Sequence, residues 1–172
     1  MSQRAQLLKN QFEMAKTVFD LTVGDLTDEV ATRRISGANI NPILPIYAHV
    51  VFGLDSMTNQ VAAGGEPLLL SGNWAERTGI ARPSFFQTPE WSEAQYRLDG
   101  LRQYSDAVFA SLNAYLDRAT DADLDREFSS PLGGQQTTVG RFLGGLGIVH
   151  LSAHSGEIAA LKGVQGLKGL PF

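Results

Sequence analysis

The chain contains no cysteine, and this absence excludes three kinds of chemistry. A disulfide scaffold, a cysteine nucleophile and a thiolate metal ligand each need a thiol that the sequence does not supply. Any metal site must therefore do without thiolate ligands of the chain, and any thiol nucleophile must come from a separate molecule.

Basic residues are also scarce. The 14 Lys and Arg are outnumbered by 18 Asp and Glu, which gives a formal net charge of −4, and the longest basic run is Arg33-Arg34. Proteins that bind a nucleic-acid duplex usually carry a basic face, because phosphate neutralisation supplies much of their affinity. We therefore expect no nucleic-acid partner.

Long apolar runs are missing as well. No stretch approaches the roughly 18 apolar residues of a membrane helix, and the first residues lack the apolar core of a signal peptide. We expect no membrane partner and a cytoplasmic location. A length of 172 residues with 43% hydrophobic and 19% charged residues predicts one globular domain over residues 1–172.

Apolar residues recur at steps of three and four in several segments, which is the pattern of amphipathic helices. The clearest stripe is Leu8, Phe12, Ala15, Phe19 and Val23. Helices are predicted over residues 3–23, from 41 or 44 to 63, over 88–118, and from 137 or 138 to 161, with Gly163 just past the last one. No segment shows strand alternation. We predict an all-α four-helix bundle with long crossover connections.

The connections between the predicted helices are long. Residues 64–87 are rich in Gly, Pro and Ser and carry Trp74, Phe85 and Phe86. Such loops are often functional, although this one could equally be a lid over the end of the core. Residues 121–136 are predicted to be a polar connector, and the apolar tail 164–172 is expected to lie against the body.

Four glycines interrupt the last predicted helix, at positions 140, 144, 145 and 147. Each costs up to about 1 kcal/mol relative to alanine inside a helix. Close approach of a neighbouring helix or of a second subunit would offset this cost, and we expect a homodimer. Alternatively, the helix is broken there and begins nearer Leu146.

The only three histidines are His49, His150 and His154. His150 and His154 are four residues apart, so they share one helix face and can bind the same ion. His49 lies between apolar neighbours on another predicted helix and should also point inward. Each histidine could instead be a core residue satisfied by a carbonyl or carboxylate, but one ion would satisfy all three. Leu151 stands where the zinc-protease helix needs a glutamate, so that chemistry is excluded.

Three segments resemble the DinB-like superfamily, which includes mycothiol- and bacillithiol-dependent transferases. They are residues 45–49 (PIYAH), 138–140 (TVG) and 150–158 (HLSAHSGEI). The resemblance implies a bundle whose metal is bound by one histidine of the second helix and two of the fourth, which correspond to His49, His150 and His154. The family often has Gln where this chain has Glu157.

Three neutral imidazoles would leave a divalent ion with an open position, the pattern of catalytic rather than structural zinc sites. Zinc or nickel is expected and iron is a further option. Glu157, one turn after His154, could orient a ligand, bind the ion or act as a general base, or could simply be a solvated carboxylate. We hypothesise a metal-dependent transferase that moves a low-molecular-weight thiol onto a small-molecule substrate. The alternatives are a metal-dependent hydrolase, a non-catalytic metal-binding or stress-response protein, and a dimeric scaffold.

Overall fold

Helices account for most of the protein in this computed structural model, which describes residues 2–81, 83–84 and 86–170. In chain order they are α1 (Gln3–Val23), α2 (Asp28–Thr32), α3 (Ile43–Asp55), α4 (Trp74–Thr78), α5 (Pro89–Glu93), α6 (Leu98–Arg118), α7 (Asp121–Asp125), α8 (Val139–Arg141) and α9 (Ile148–Val164). The four long helices pack as a bundle, since α1 and α3 each contact both α6 and α9. One hydrophobic cluster lies between them. The predicted all-α bundle is confirmed.

The first helix has the predicted bounds. Its N-terminus is capped by the Ser2 hydroxyl, which accepts a hydrogen bond from the Ala5 N–H at 3.2 Å. Leu8, Phe12 and Phe19 of the predicted stripe are buried. The prediction of this helix from the periodicity of its apolar residues is therefore confirmed.

Two of the long helices contain π-helical segments. Helix α3 continues as a π-helix over Ser56–Ala62, and the Ala63 N–H bonds to the Thr58 carbonyl, five residues back, at 2.9 Å. A second π-helix, Phe142–Gly147, joins α8 to α9. Such segments are rare and are often found at functional sites. Here each directly adjoins a helix that carries the histidines.

Two of the four glycines of the last helix are explained by close packing against α1. A Cβ at Gly144 would lie 2.9 Å from Cδ2 of Leu8, and one at Gly147 would lie 2.9 Å from Cζ of Phe12. Helical structure starts at Val139 with Thr138 as its cap. The alternative prediction, a helix that begins near Leu146, is therefore wrong.

The third predicted helix is broken, which corrects the prediction of one helix over residues 88–118. Helix α5 ends at Glu93 and α6 begins at Leu98. Between them the Arg97 N–H bonds to the Thr78 carbonyl at 2.9 Å, and the Tyr96 hydroxyl donates to the Trp91 carbonyl at 2.8 Å. These contacts hold the chain in a turn that local helix propensity would not produce.

The connector before the last helix contains strands that the sequence did not predict. Glu127–Ser129 (β1) pairs antiparallel with Gln136–Thr138 (β2), and Phe128 lies opposite Thr137. The turn between them uses Gly133 and Gly134 with φ of 85° and 70°, a conformation that favours glycine. Strands of three residues are too short to show alternation, which is why the pattern was missed.

The remaining connections also differ from expectation. Residues 64–87 contain a 3₁₀ helix, Leu68–Leu70, as well as α4. Gly163 lies inside α9 rather than past its end, and the left-handed residue that follows the helix is Gly166, with φ of 80°. The tail contacts α9, since a Cβ at Gly169 would lie 2.7 Å from the Ala159 carbonyl oxygen; residues 171 and 172 are outside the described part. Across the described ranges, no helix has both the length and the apolar character needed to cross a membrane.

Candidate metal centre

The first histidine of the site lies on the most buried helix of the bundle. All 13 residues of α3 are buried, and His49, in the middle of the helix, is only 7% exposed. A polar side chain at this position must therefore find its partners inside the protein. The partners it meets are the two histidines of α9.

His150 and His154 lie one turn apart on α9 and face His49. The Nε2 atoms of His49 and His150 are 3.0 Å apart. The ring centroids are separated by 4.8 Å for His49 and His150, 5.0 Å for His49 and His154, and 4.7 Å for His150 and His154. One ligand atom from each residue can be chosen so that all three lie within 4.8 Å of one another. The structure thus brings the three predicted residues together.

This arrangement fits the donor set of a single divalent ion. Nitrogen ligands of a tetrahedral ion lie about 2.0–2.1 Å from it, so two such ligands are about 3.3 Å apart, close to the 3.0 Å between Nε2 of His49 and of His150. Without an ion, two Nε2 atoms that face each other can share only one proton. His49 Nδ1 is also buried without a hydrogen-bond partner among the described residues.

Two of the three histidines are held in the protonation state that binds metal. Burial, with a smaller contribution from the nearby His154, lowers the pKa of His49 to about 4. Burial also lowers the pKa of His150 to about 3, with His49 and His154 as additional causes. Both imidazoles are therefore neutral at physiological pH, as metal ligation requires.

Glu157 is bound to one of the three histidines. Its Oε2 atom lies 2.6 Å from Nδ1 of His154. An ionised carboxylate can only accept a hydrogen bond, so Nδ1 of His154 is the donor in this contact and Nε2 is the nitrogen left to bind an ion. Carboxylates commonly orient metal-binding histidines in this way. Of the roles considered for Glu157, this contact favours the orientation of His154.

Replacement of Glu157 by alanine is expected to weaken metal binding about 10- to 100-fold, the usual effect of removing a carboxylate that orients a ligating histidine. The reason is that His154 loses the acceptor that fixes its tautomer and ring orientation. Affinity is measured by competition with a chromogenic chelator. The Glu157→Gln variant keeps an amide oxygen as acceptor and should recover part of the loss. Unchanged affinity in the alanine variant would contradict the role.

Trp91 is a neighbour of the site that the sequence analysis did not identify. Its ring packs edge-on to His49 with centroids 6.3 Å apart, and its Nε1 donates to the Pro45 carbonyl at 2.8 Å. Trp91 also lines a cavity of about 370 Å³, together with Ile80 and Thr88. No sequence signal distinguished this tryptophan, since its position depends on the turn between α5 and α6.

Other aromatic side chains pack against partners outside the histidine cluster. Tyr47 packs against Phe19 with ring centroids 5.2 Å apart, and Trp74 packs against Tyr104 at 5.5 Å. Phe86, in the 64–87 connection, is 63% exposed, and residue 85 is outside the described part of the chain.

One edge of the histidine cluster is accessible to solvent. The side chains of His154 and Glu157 are 21% and 31% exposed, whereas His49 is almost fully buried. An outside molecule could therefore reach the cluster from the α9 side. The cluster is therefore closed on the side of His49 and open to solvent on the side of His154 and Glu157.

Comparison with known proteins agrees with this architecture. The model of the DinB superfamily matches residues 11–158, a span that includes all three histidines and Glu157. A solved structure, described as a conserved protein from Enterococcus faecalis, is similar with a TM-score of 0.77 and 21% sequence identity over 94% of this chain and 96% of that chain. That likeness concerns the fold alone, and the curated proteins gave no match. Because the family model covers most of its length, the chain belongs to the DinB superfamily.

Proposed function

We propose that the protein binds one divalent metal ion through His49, His150 and His154 and transfers a low-molecular-weight thiol onto a small electrophile. The observation that carries this proposal is the convergence of three imidazoles at a point with one accessible edge. Zinc and nickel both suit an all-imidazole donor set. When bound, such an ion supplies Lewis acidity that lowers the pKa of a bound thiol toward neutrality.

The protein's own residues would bind and orient the reactants. The neutral imidazoles leave the charge of the ion uncompensated, which favours an anionic sulfur ligand. The buried side of the site, formed by α3 and Trp91, excludes water behind His49. The transfer forms a carbon–sulfur bond on the electrophile; the leaving group departs with its electron pair, and the thiol proton passes to solvent.

Thiol transfer and metal-assisted hydrolysis differ in the nucleophile that a bound ion would activate. An ion lowers the pKa of a bound water as well as that of a bound thiol, so both reactions suit the three imidazoles. Because the chain contains no cysteine, a thiol nucleophile would have to come from a separate molecule. Dependence on an added thiol therefore separates the two reactions.

The test is a thiol panel with metal-loaded protein. We expect consumption of an electrophile such as a chloronitrobenzene to require both the ion and a thiol, and to be lost in His49→Leu. Consumption that proceeds without thiol would support hydrolysis instead. No consumption above the level of the His49→Leu variant, with any thiol tested, would contradict a catalytic function.

A further inference from the structure

A glycine on α3 is in close contact with the ring of His150. Gly53 is buried and comes four residues after His49, so both positions face the same side of the helix. A Cβ at Gly53 would lie 2.8 Å from Cε1 of His150, 3.3 Å from its Nε2 and 3.6 Å from its Nδ1. The imidazole of His150 therefore packs against the bare backbone of Gly53.

A side chain at this position would displace the ring of His150. Non-bonded carbon atoms pack best at about 3.5–4.0 Å, so the ring would have to move by about 1 Å. All three nearest atoms belong to that ring, so the clash is relieved by movement of the imidazole itself. Metal–ligand distances tolerate only about 0.2 Å. The displacement is several times larger than the tolerance of the site.

The backbone of α3 does not itself require a glycine here. Gly53 is absent from the glycines with positive φ and lies inside a regular α-helix, where glycine is among the poorest residues. The close approach of His150 is the feature of the structure that a larger residue would disrupt.

We infer that Gly53 is a positioning residue for the metal centre: its missing side chain allows His150 to approach α3 closely enough to share an ion with His49. This inference rests on the proposed function, because it assumes that the cluster binds metal. It adds a residue that contacts neither the ion nor the substrate but sets the position of one ligand.

The first test compares Gly53→Ala with Gly163→Ala. Gly163 is also helical, but a Cβ there meets nothing within 4 Å. We expect Gly53→Ala to lower zinc affinity at least tenfold, measured against a chromogenic chelator, and to change the visible absorption of the cobalt-substituted protein. Gly163→Ala should leave both unchanged. Wild-type affinity and spectrum in Gly53→Ala would overturn the inference.

The second test uses metal-free protein and a double-mutant cycle with His150→Ala. If the clash is with the imidazole, Gly53→Ala lowers the Tm when His150 is present and does not lower it when the ring has been removed. An equal loss of Tm in both backgrounds would show that the glycine serves general helix packing and would overturn the inference.

The two proposals fail in different ways. A wild-type protein that binds neither zinc nor cobalt refutes the proposed function. A wild-type protein that binds metal, together with a Gly53→Ala variant that binds it equally well, refutes only the role of Gly53.

Discussion

Replacement of His49 by leucine is expected to abolish metal-dependent stabilisation while leaving the bundle folded. Leucine fills a similar volume between Trp91 and the histidines of α9 but has no ligand atom. Loss of a residue that only orients a metal ligand lowers metal affinity roughly 10- to 100-fold. Removal of one of the three ligands should lower the affinity by more than this. At zinc concentrations about 100-fold above its Kd, the wild-type protein should gain about 2.7 kcal/mol of stability. Thermal unfolding with and without zinc measures this gain.

The control for this experiment is the metal-free protein. Leucine removes the contact between the Nε2 atoms of His49 and His150, which are 3.0 Å apart, so the metal-free variant should lose about 1–3 kcal/mol, the cost of leaving a buried polar group without its partner. If zinc raises the Tm of the leucine variant as much as that of the wild type, His49 is not a ligand.

The same variant should change the response of the metal-free protein to acid. In the folded state the pKa is about 4 for His49 and about 3 for His150, below the value of about 6.5 in an unfolded chain. The unfolded chain therefore takes up protons first as the pH falls. The stability linked to these residues is complete above about pH 6.5 and is lost as the pH falls toward the folded values. Urea unfolding between about pH 7 and pH 5 should show a shallower decline in His49→Leu than in the wild type.

The sequence was most informative where local pattern and tertiary packing agree. The stripe Leu8, Phe12 and Phe19 is buried along one face of α1, and Thr138 caps the last helix as expected. In both cases the signal comes from residues within one or two helical turns of each other. Such local patterns predict the structure well because the apolar face of each helix is the face that the bundle buries.

Features that depend on contacts distant in the chain were not predictable. The break between α5 and α6 depends on a bond from Arg97 to Thr78, and nothing in residues 94–97 alone requires it. The π-helical segments, Ser56–Ala62 and Phe142–Gly147, were likewise not predicted. A π-helical turn contains one residue more than an α-helical turn. The spacing of apolar residues does not show where that residue is inserted.

The residues of the candidate site also differ in how far the sequence predicted them. The spacing of His150 and His154 is a local signal, and His49 was found because it is flanked by apolar residues on a predicted helix. Trp91 and Gly53 were missed, because their roles follow from distances to His49 and His150 across the bundle. Whether the three histidines bind metal remains a prediction that the experiments above test.

A buried carboxylate at the end of α3 fixes the segment that follows this helix. Asp55 is fully buried. It accepts hydrogen bonds from the N–H groups of Leu68 and Leu69 at 2.9 and 3.0 Å, from Nδ2 of Asn59 at 2.7 Å, and from the Tyr104 hydroxyl. Burial and the charge of Asp55 raise the pKa of Tyr104, so its hydroxyl stays protonated and donates. Four donors therefore stabilise this charge, and no ion pair involving Asp55 is seen in the described part of the chain.

Replacement of Asp55 by alanine is expected to destabilise the protein by about 3–5 kcal/mol, because the two donors of its fully buried hydrogen bonds, the Leu69 N–H and the Tyr104 hydroxyl, lose their acceptor at about 1–3 kcal/mol each. This is a large part of the 5–15 kcal/mol that stabilises a typical domain. Asp55→Asn keeps one acceptor oxygen but turns an amide N–H toward a donor, so a loss of about 2 kcal/mol is expected. Tyr104→Phe removes a single donor and should cost about 1–2 kcal/mol. Urea unfolding at neutral pH measures the series.

A control variant tests whether the loss of stability comes from the hydrogen bonds of Asp55 or from the loss of any carboxylate. Asp106 on α6 is 77% exposed, and Asp106→Ala should change the free energy of unfolding by no more than about 0.5 kcal/mol. Because the bonds of Asp55 lead to residues 68–69 and to Tyr104 rather than to the histidines, the folded fraction of Asp55→Asn should bind zinc with wild-type affinity. A variant that stays fully stable but loses zinc would instead assign Asp55 to the metal centre and contradict the anchoring role argued for it.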